Sequence, residues 1–219
     1  MNSFFETLVV TIFFHSCEIF MKKSHAFTLL ELLIVISIIA IMASLALPHI
    51  LSALTKGEML QTASNARQLY LATQSMAIDA TTSGDANVGW PGDMNSPSFS
   101  AWASALCASY LSTNDFCKLC SAPGIVVSAS HFPTSASQTA FRVYAVKEES
   151  EGSDIFFITR NAIVSGNGDT ASVTLDNAVK PYGNKGCVIM HRGGDAVSLM
   201  QNQLKSGHAV GTLGKNAEL

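Results

Sequence analysis

The chain has 219 residues, 48% of them hydrophobic and 13% charged, with a mean hydropathy of +0.29, which is too apolar for a disordered polymer. Thirteen basic against sixteen acidic side chains give a net charge of −3, so no basic surface is available for a polyphosphate backbone and no nucleic-acid partner is expected. The length fits one ordinary domain, but the apolar excess is concentrated near the N-terminus.

Residues 1–20, MNSFFETLVVTIFFHSCEIF, are apolar and lack a basic start. Met21, followed by Lys22 and Lys23, is the better translation start, which would leave Cys17 out of the protein; an additional membrane-active leader is the alternative. Residues 27–47, FTLLELLIVISIIAIMASLAL, form a 21-residue run with one charge, Glu31, and no Gly or Pro. As a helix this run spans about 31 Å, enough to cross a bilayer core. Lys22 and Lys23 precede it and the next Lys or Arg is Lys56, so the N-terminus is expected in the cytoplasm and the bulk of the chain outside. A secretory signal cut near the small residues at 43–46 is the competing expectation. A carboxylate inside a membrane helix is costly unless it finds a partner, so Glu31 is either half of a pair or close enough to the helix start to reach headgroups and favour the N-terminal dipole.

Lys22, Lys23, Ser24, His25 and Ala26, followed by Phe27, Thr28, Leu29, Leu30 and Glu31, resemble the leader and cleavage motif of type IV pilins and type II secretion pseudopilins. The motif-level resemblance covers residues 21–50 and says little about the rest. It implies that a membrane aspartyl peptidase cuts between Ala26 and Phe27 and methylates the new Phe27 amine. The freed helix would then be drawn into a filament where Glu31 pairs with the Phe27 amine of a neighbouring subunit, an assembly role with no catalysis. Such pairing would offset the buried charge and fix the axial register. The family generally has Gly before the cut; Ala26 is still small, so slower processing is expected. Pro48 ends the apolar run where many of these proteins carry a helix-kinking proline.

Beyond Pro48, Leu51, Leu54, Met59, Ala63, Ala66, Tyr70, Thr73 and Ala77 recur at three- or four-residue steps and predict a continued amphipathic helix to about Asp79. It would pack one face on the head or, alternatively, on a coiled-coil partner. Residues 81–138 are rich in Ser, Ala, Thr, Asn and Pro and read as a connector with one short helix at 100–111, anchored by Trp90, Phe99, Trp102 and Tyr110. From Thr139 the period shifts to strands: TAFRVYAV, DIFFIT, residues 171–175, GCVIMH and DAVSLM, the last two joined at Gly193 and Gly194. The expected fold is therefore α+β and pilin-like, a long N-terminal helix packed on a small antiparallel sheet. Its parts are a leader at 1–26, an assembly helix at 27–48, an amphipathic half at 49–80, a connector at 81–138 and a sheet at 139–219.

Four cysteines, Cys107, Cys117, Cys120 and Cys187, fall in the exported part and are disulfide candidates with three pairings open. A zinc or thioredoxin-like use of CKLC lacks supporting residues. Some major pseudopilins bind calcium in a loop near the C-terminal sheet, and Asn167, Asp169 and Asp176 are the oxygen-bearing candidates here, against a solvated turn. No other cofactor is expected. His131, His191 and His208 read as isolated surface or turn residues, and Glu148, Glu149 and Glu151 as a solvated edge or, less directly, a docking patch. The segment HRGGDAVSLMQNQLKSG weakly resembles the ending of certain pseudopilin-like proteins, although Ser206 and Gly207 stand where those carry Asp-Gly.

No phosphate loop, nucleophile elbow or HExxH pattern is present, so an enzyme is not expected. The function implied is a pseudopilin-type subunit of a type II secretion system. A type IV pilus subunit or minor pilin, serving adhesion, motility or DNA uptake, shares the same N-terminal motif. A membrane-tethered exported binding module is the alternative from another class. The partners implied by resemblance are a prepilin peptidase, other pilin or pseudopilin subunits, and an inner-membrane assembly platform with its ATPase.

Overall fold

The structure, a computed structural model, describes residues 28–166, 171–205, 210–214 and 216–219. Helix α1, Leu29–Ser83, runs for 55 residues and includes Pro48, whose ring nitrogen has no hydrogen to donate within the helix. Its C-terminus lies four residues beyond the expected Asp79. Thr81, Thr82 and Ser83 return their hydroxyls to the carbonyls of Ile78, Ile78 and Asp79 at 2.7, 3.0 and 2.8 Å, so polar residues that read as a terminator extend the helix instead. Gly84 then stops it at φ +71°, donating to the Ala80 carbonyl at 2.8 Å.

The chain divides between His49 and Ile50 into an N-terminal unit and a head. In the head, α1 buries Thr55, Met59, Thr62, Ala66, Leu69, Thr73 and Met76, spaced by alternating steps of four and three. Met59, Ala66, Tyr70, Thr73 and Ala77 of the expected stripe are buried, but Leu51 and Leu54 are exposed, and Thr55 and Thr62 are buried where the hydropathy pattern had placed no residue of the stripe. Each buried threonine donates its hydroxyl one turn back, Thr55 to Leu51, Thr62 to Glu58 and Thr73 to Leu69, at 2.9–3.1 Å. Two of them also meet polar atoms of aromatic side chains. Trp102 Nε1 donates to Thr73 Oγ1 at 3.2 Å, and the Tyr182 hydroxyl lies 2.6 Å from Thr62 Oγ1. A buried polar atom that is fully partnered costs little.

The connector is more ordered than expected. Helix α2, Phe99–Ser109, is capped by Ser98, and a second helix, α3, Thr113–Leu119, is capped by Ser112, whose hydroxyl oxygen accepts from Asp115 N at 3.1 Å. A 3₁₀ turn at Ala136–Gln138 follows. The main sheet joins β1 (Phe141–Val143), β2 (Ile155–Thr159), β5 (Gly186–His191) and β6 (Ala196–Met200) in the order β1-β2-β5-β6, antiparallel throughout. A separate hairpin pairs β3 (Ala162–Ser165) with β4 (Ser172–Leu175), and a short helix α4, Gln201–Lys205, follows β6. The Gly193-Gly194 turn joins β5 to β6 as expected. Gly194 has φ +92°, and a Cβ there would stand 3.0 Å from the Tyr70 ring.

The sheet is covered on both faces, whereas the sequence pattern predicted one. The helical side packs Trp90, Phe99, Trp102 and Phe116 against Phe141, Phe156 and Phe157. Between Ile155 and Phe157 the register of β2 against β5 shifts, and Phe156 and Phe157 both join this core, with ring centroids 3.8 Å apart. The opposite face holds Ile155, Ile158, Cys187, Ile189 and Leu199 beneath Val164, Val173, Leu175 and Leu213 of the hairpin and C-terminal segment. Double coverage explains why every residue of β2 and β5 is buried and why neither strand alternates.

Candidate processing and assembly site

At the start of α1 the residues Thr28-Leu29-Leu30-Glu31 close a capping box. Glu31 Oε2 accepts from Thr28 N at 3.0 Å and from Thr28 Oγ1 at 2.9 Å, while Glu31 N donates to Thr28 Oγ1 at 3.2 Å. Glu31 thus has a local role that the sequence reading reached only as a dipole effect, although the T-x-x-E spacing was there to be read. The N-terminal unit is otherwise apolar: residues 28–49 are all exposed, among them Leu29, Leu33, Ile36, Ile39 and Met42. Its two serines satisfy themselves, Ser37 Oγ donating to Leu33 O at 2.6 Å and Ser44 Oγ to Ile41 O at 2.8 Å. A helical segment whose threonine, glutamate and serines bond within the segment and whose apolar side chains are all exposed suits a medium without water. By length and composition α1 can cross a membrane. Lys22, Lys23, Ala26 and Phe27 lie outside the described residues.

Residues 21–47 match the family model described as the prokaryotic N-terminal methylation motif. The chain carries that motif. Over 62 residues it is also 39% identical to a "Probable minor fimbrial protein" of Dichelobacter nodosus, a match covering 28% of this chain and 39% of the relative. No solved structure matches the chain. The methylation motif thus begins at Met21 and ends one residue before Pro48, and together with the long helix and antiparallel sheet it makes the arrangement pilin-like.

In the head, Cys107, Cys117, Cys120 and Cys187 stand unbonded to one another in the structure. Among the calcium candidates, Asn167 and Asp169 lie outside the described residues. Asp176 caps a turn, its Oδ1 accepting from Ala178 N at 2.9 Å. Among the described residues no three His, Cys, Asp or Glu side chains gather as a metal site. Glu148 is exposed, as a solvated edge should be, yet it has partners: it accepts from Trp90 Nε1 and pairs with Arg192 at 3.1 Å, whose guanidinium lies 4.9 Å from the Trp90 ring centroid. Glu149 and Glu151 are exposed in the adjoining turn.

His191 and Asp154 hold the C-terminal segment. His191, expected at the surface, is buried at the end of β5; Nδ1 lies 2.6 Å from Asp195 Oδ2 and Nε2 3.1 Å from the Val210 carbonyl. His208 lies outside the described residues, and His131 is exposed. Asp154, also buried, accepts from Thr212 Oγ1 at 2.6 Å and Asn216 Nδ2 at 3.0 Å. Main-chain bonds continue the strap, Ala145 N donating to Ala217 O and Leu219 N to Val143 O along the outer edge of β1. Asp154→Ala would remove the acceptor of Asn216 Nδ2 and leave the Thr212 hydroxyl only Ser153 Oγ, 3.2 Å away, and a loss of about 1–3 kcal/mol is expected. At roughly 2–4 °C per kcal/mol for a head of this size, the melting temperature should fall by about 2–12 °C. A shift under about 1 °C would remove Asp154 from the account of the strap.

Proposed function

We propose that the chain is a filament subunit of the pilin type, and specifically a pseudopilin of a type II secretion system. It starts at Met21, is cut after Ala26 and is N-methylated at Phe27 by a prepilin peptidase. The observation that carries this proposal is the apolar helix with nothing buried against it, bearing one carboxylate at its capped start directly behind the basic leader that opens the methylation motif. Such a surface is stable only in a bilayer or in a bundle of like helices, and processing is the step that releases it from one to the other. The uncut chain would lie in the inner membrane with Lys22 and Lys23 cytoplasmic and the head outside. Other pilin-type subunits, an assembly platform and its ATPase would be its partners. The head adds a structural surface and no chemistry of its own. A minor pilin of a type IV system is the second reading, favoured by the similarity to the minor fimbrial protein over 62 residues.

The test is intact mass and N-terminal sequencing of the chain produced with and without a prepilin peptidase. The expected product begins at N-methylated Phe27 and forms only when the peptidase is present. A chain that keeps Met21 or Met1, or one cut near Ala46, would instead make the head a tethered or secreted module. An open groove of about 720 Å³, lined in part by Lys147, Glu149, Glu151 and Asp154, is where such a module would bind; Asp154 there already holds Thr212 and Asn216.

A further inference from the structure

We propose that the head meets a second copy of itself end to end, Lys56 and Lys185 of one copy lying against Glu149 and Glu151 of the next. The contact rests on the filament reading above and gives the head a part in it. The basic end stands where β5 begins. Gly186 opens β5 beside α1, where a Cβ would stand 2.9 Å from the Met59 methyl. Lys185 directly precedes Gly186, and Lys56 lies about one turn before Met59. Open grooves of about 510 and 410 Å³, one lined by Lys56 and the other by Lys185, share Ser52, Met200 and Asn202, so both lysines border one surface. Both are exposed, and neither ammonium group has a hydrogen bond or ion pair among the described residues. The opposing charge on this stretch of α1 is the exposed Glu58.

The acidic end stands where β5 finishes. His191 closes β5, and Gly193 N of the following turn donates to the Gly152 carbonyl at 2.8 Å, which brings the turn at 147–152 alongside. Asp93 Oδ2 accepts from Glu148 N at 2.7 Å and adds a further carboxylate. Of the bases there, Arg192 is already paired with Glu148, which leaves Lys147 against Glu149 and Glu151. These two carboxylates are exposed, have no hydrogen bond or ion pair among the described residues, and line the open groove of about 720 Å³.

Distance decides where the charges find partners. At about 3.3 Å per residue, the six residues of β5 set the two ends roughly 20 Å apart. Helix α1 agrees: it passes Gly186 at Met59 and Gly194 at Tyr70, a rise of about 16 Å. The Debye length at physiological salt is about 8 Å, so the two ends neither pair nor compensate each other within one head. A second copy set end to end brings them together. Because the two surfaces differ, such a contact repeats without closing on itself, as a filament requires. An anionic bilayer would answer the lysines and leave the carboxylates unpaired.

The test uses the full-length chain in cells that supply a prepilin peptidase and an assembly platform. N-terminal sequencing for methylated Phe27 and the wild-type yield of sheared filament read the filament proposal by itself. Those filaments are then treated with a carbodiimide, which condenses an ammonium and a carboxylate already in contact into an amide. The expected linked peptides join Lys56 or Lys185 to Glu149 or Glu151, and they are absent from uncut chain dispersed in detergent. Reversing either pair, Lys56→Glu with Lys185→Glu or Glu149→Lys with Glu151→Lys, sets like charges together and should cut filament yield about tenfold or more. All four substitutions in one chain should restore most of it. The four positions are exposed, so melting followed by Trp90 and Trp102 fluorescence should move by less than about 2 °C. If a reversed pair melts lower, the wild-type cross-links decide. Filaments without those links, either reversed pair assembling like wild type, or a fourfold variant that stays unassembled overturns the contact and leaves the filament reading standing. Loss confined to the lysine pair also overturns it and assigns those lysines to bilayer phosphates. A wild-type chain that keeps Met21 and yields no filament overturns both.

Discussion

Glu31→Leu is expected to leave membrane insertion intact or improved while filament assembly falls below about one-tenth of wild type, because the Phe27 amine of the next subunit would be buried without its counter-charge. The structure complicates that variant, since Glu31 also accepts two hydrogen bonds from Thr28 and a fraying helix start could mimic an assembly defect. Glu31→Gln separates the two roles: glutamine at this position of a capping box still reaches the N-cap amide but carries no charge. If the charge keys assembly, Glu31→Gln fails nearly as badly as Glu31→Leu, and Thr28→Val, which breaks the cap but keeps the carboxylate, assembles nearly normally. The reverse ordering would reduce Glu31 to a helix cap. Membrane fractionation of each variant supplies the insertion readout, and sheared or cross-linked filament material supplies the assembly readout. A tether that never polymerises predicts no difference among the four proteins.

The N-terminal features were legible in the sequence because each is local: a basic pair, a small residue, and a run of 21 apolar side chains with one carboxylate. Strands β2 and β5 were legible as well, since burial on both faces leaves a continuous apolar run. The seam of α1 was drawn correctly through Met59, Ala66, Tyr70, Thr73 and Ala77 but missed Thr55 and Thr62, which score as polar. Their hydroxyls bond to the carbonyls one turn back, and Thr62 also meets Tyr182, so burial leaves them partnered. Helix α3 escaped notice because seven residues give too little periodicity, although Ser112 followed three residues later by Asp115 is a cap signal. The roles of Asp154 and His191 depend on contacts with residues 58, 62 and 19 positions away, which no spacing rule could supply. Hairpin β3–β4 was half seen, its second strand announced by alternation and its first, AIVS, hidden beside a turn.

Trp102→Ala should have the largest effect on the head of any single substitution in its core. Trp102 is fully buried, its ring lies within 5.7–6.1 Å of Phe99, Phe116, Phe156 and Phe157, and its Nε1 donates to Thr73. It therefore joins four elements, α2 that carries it, α3 through Phe116, β2 and the threonine seam of α1. Truncation to alanine costs about 3–5 kcal/mol in such sites, a large share of the roughly 5–15 kcal/mol that holds a domain folded. A melting temperature lower by about 6–20 °C follows. Trp102→Phe keeps the packing and removes only the indole donor. Thr73 Oγ1 still has the Leu69 carbonyl to donate to, so that variant should lose only about 0.5–1.5 kcal/mol. Both tryptophans, Trp90 and Trp102, lie in the head, so the remaining Trp90 fluorescence reports its unfolding in the full-length chain without interference from the N-terminal unit. Equal losses in the alanine and phenylalanine variants would mean that the hydrogen bond to the seam, and not the ring packing, holds α2 in place; a small loss in both would mean that α2 contributes little to the core.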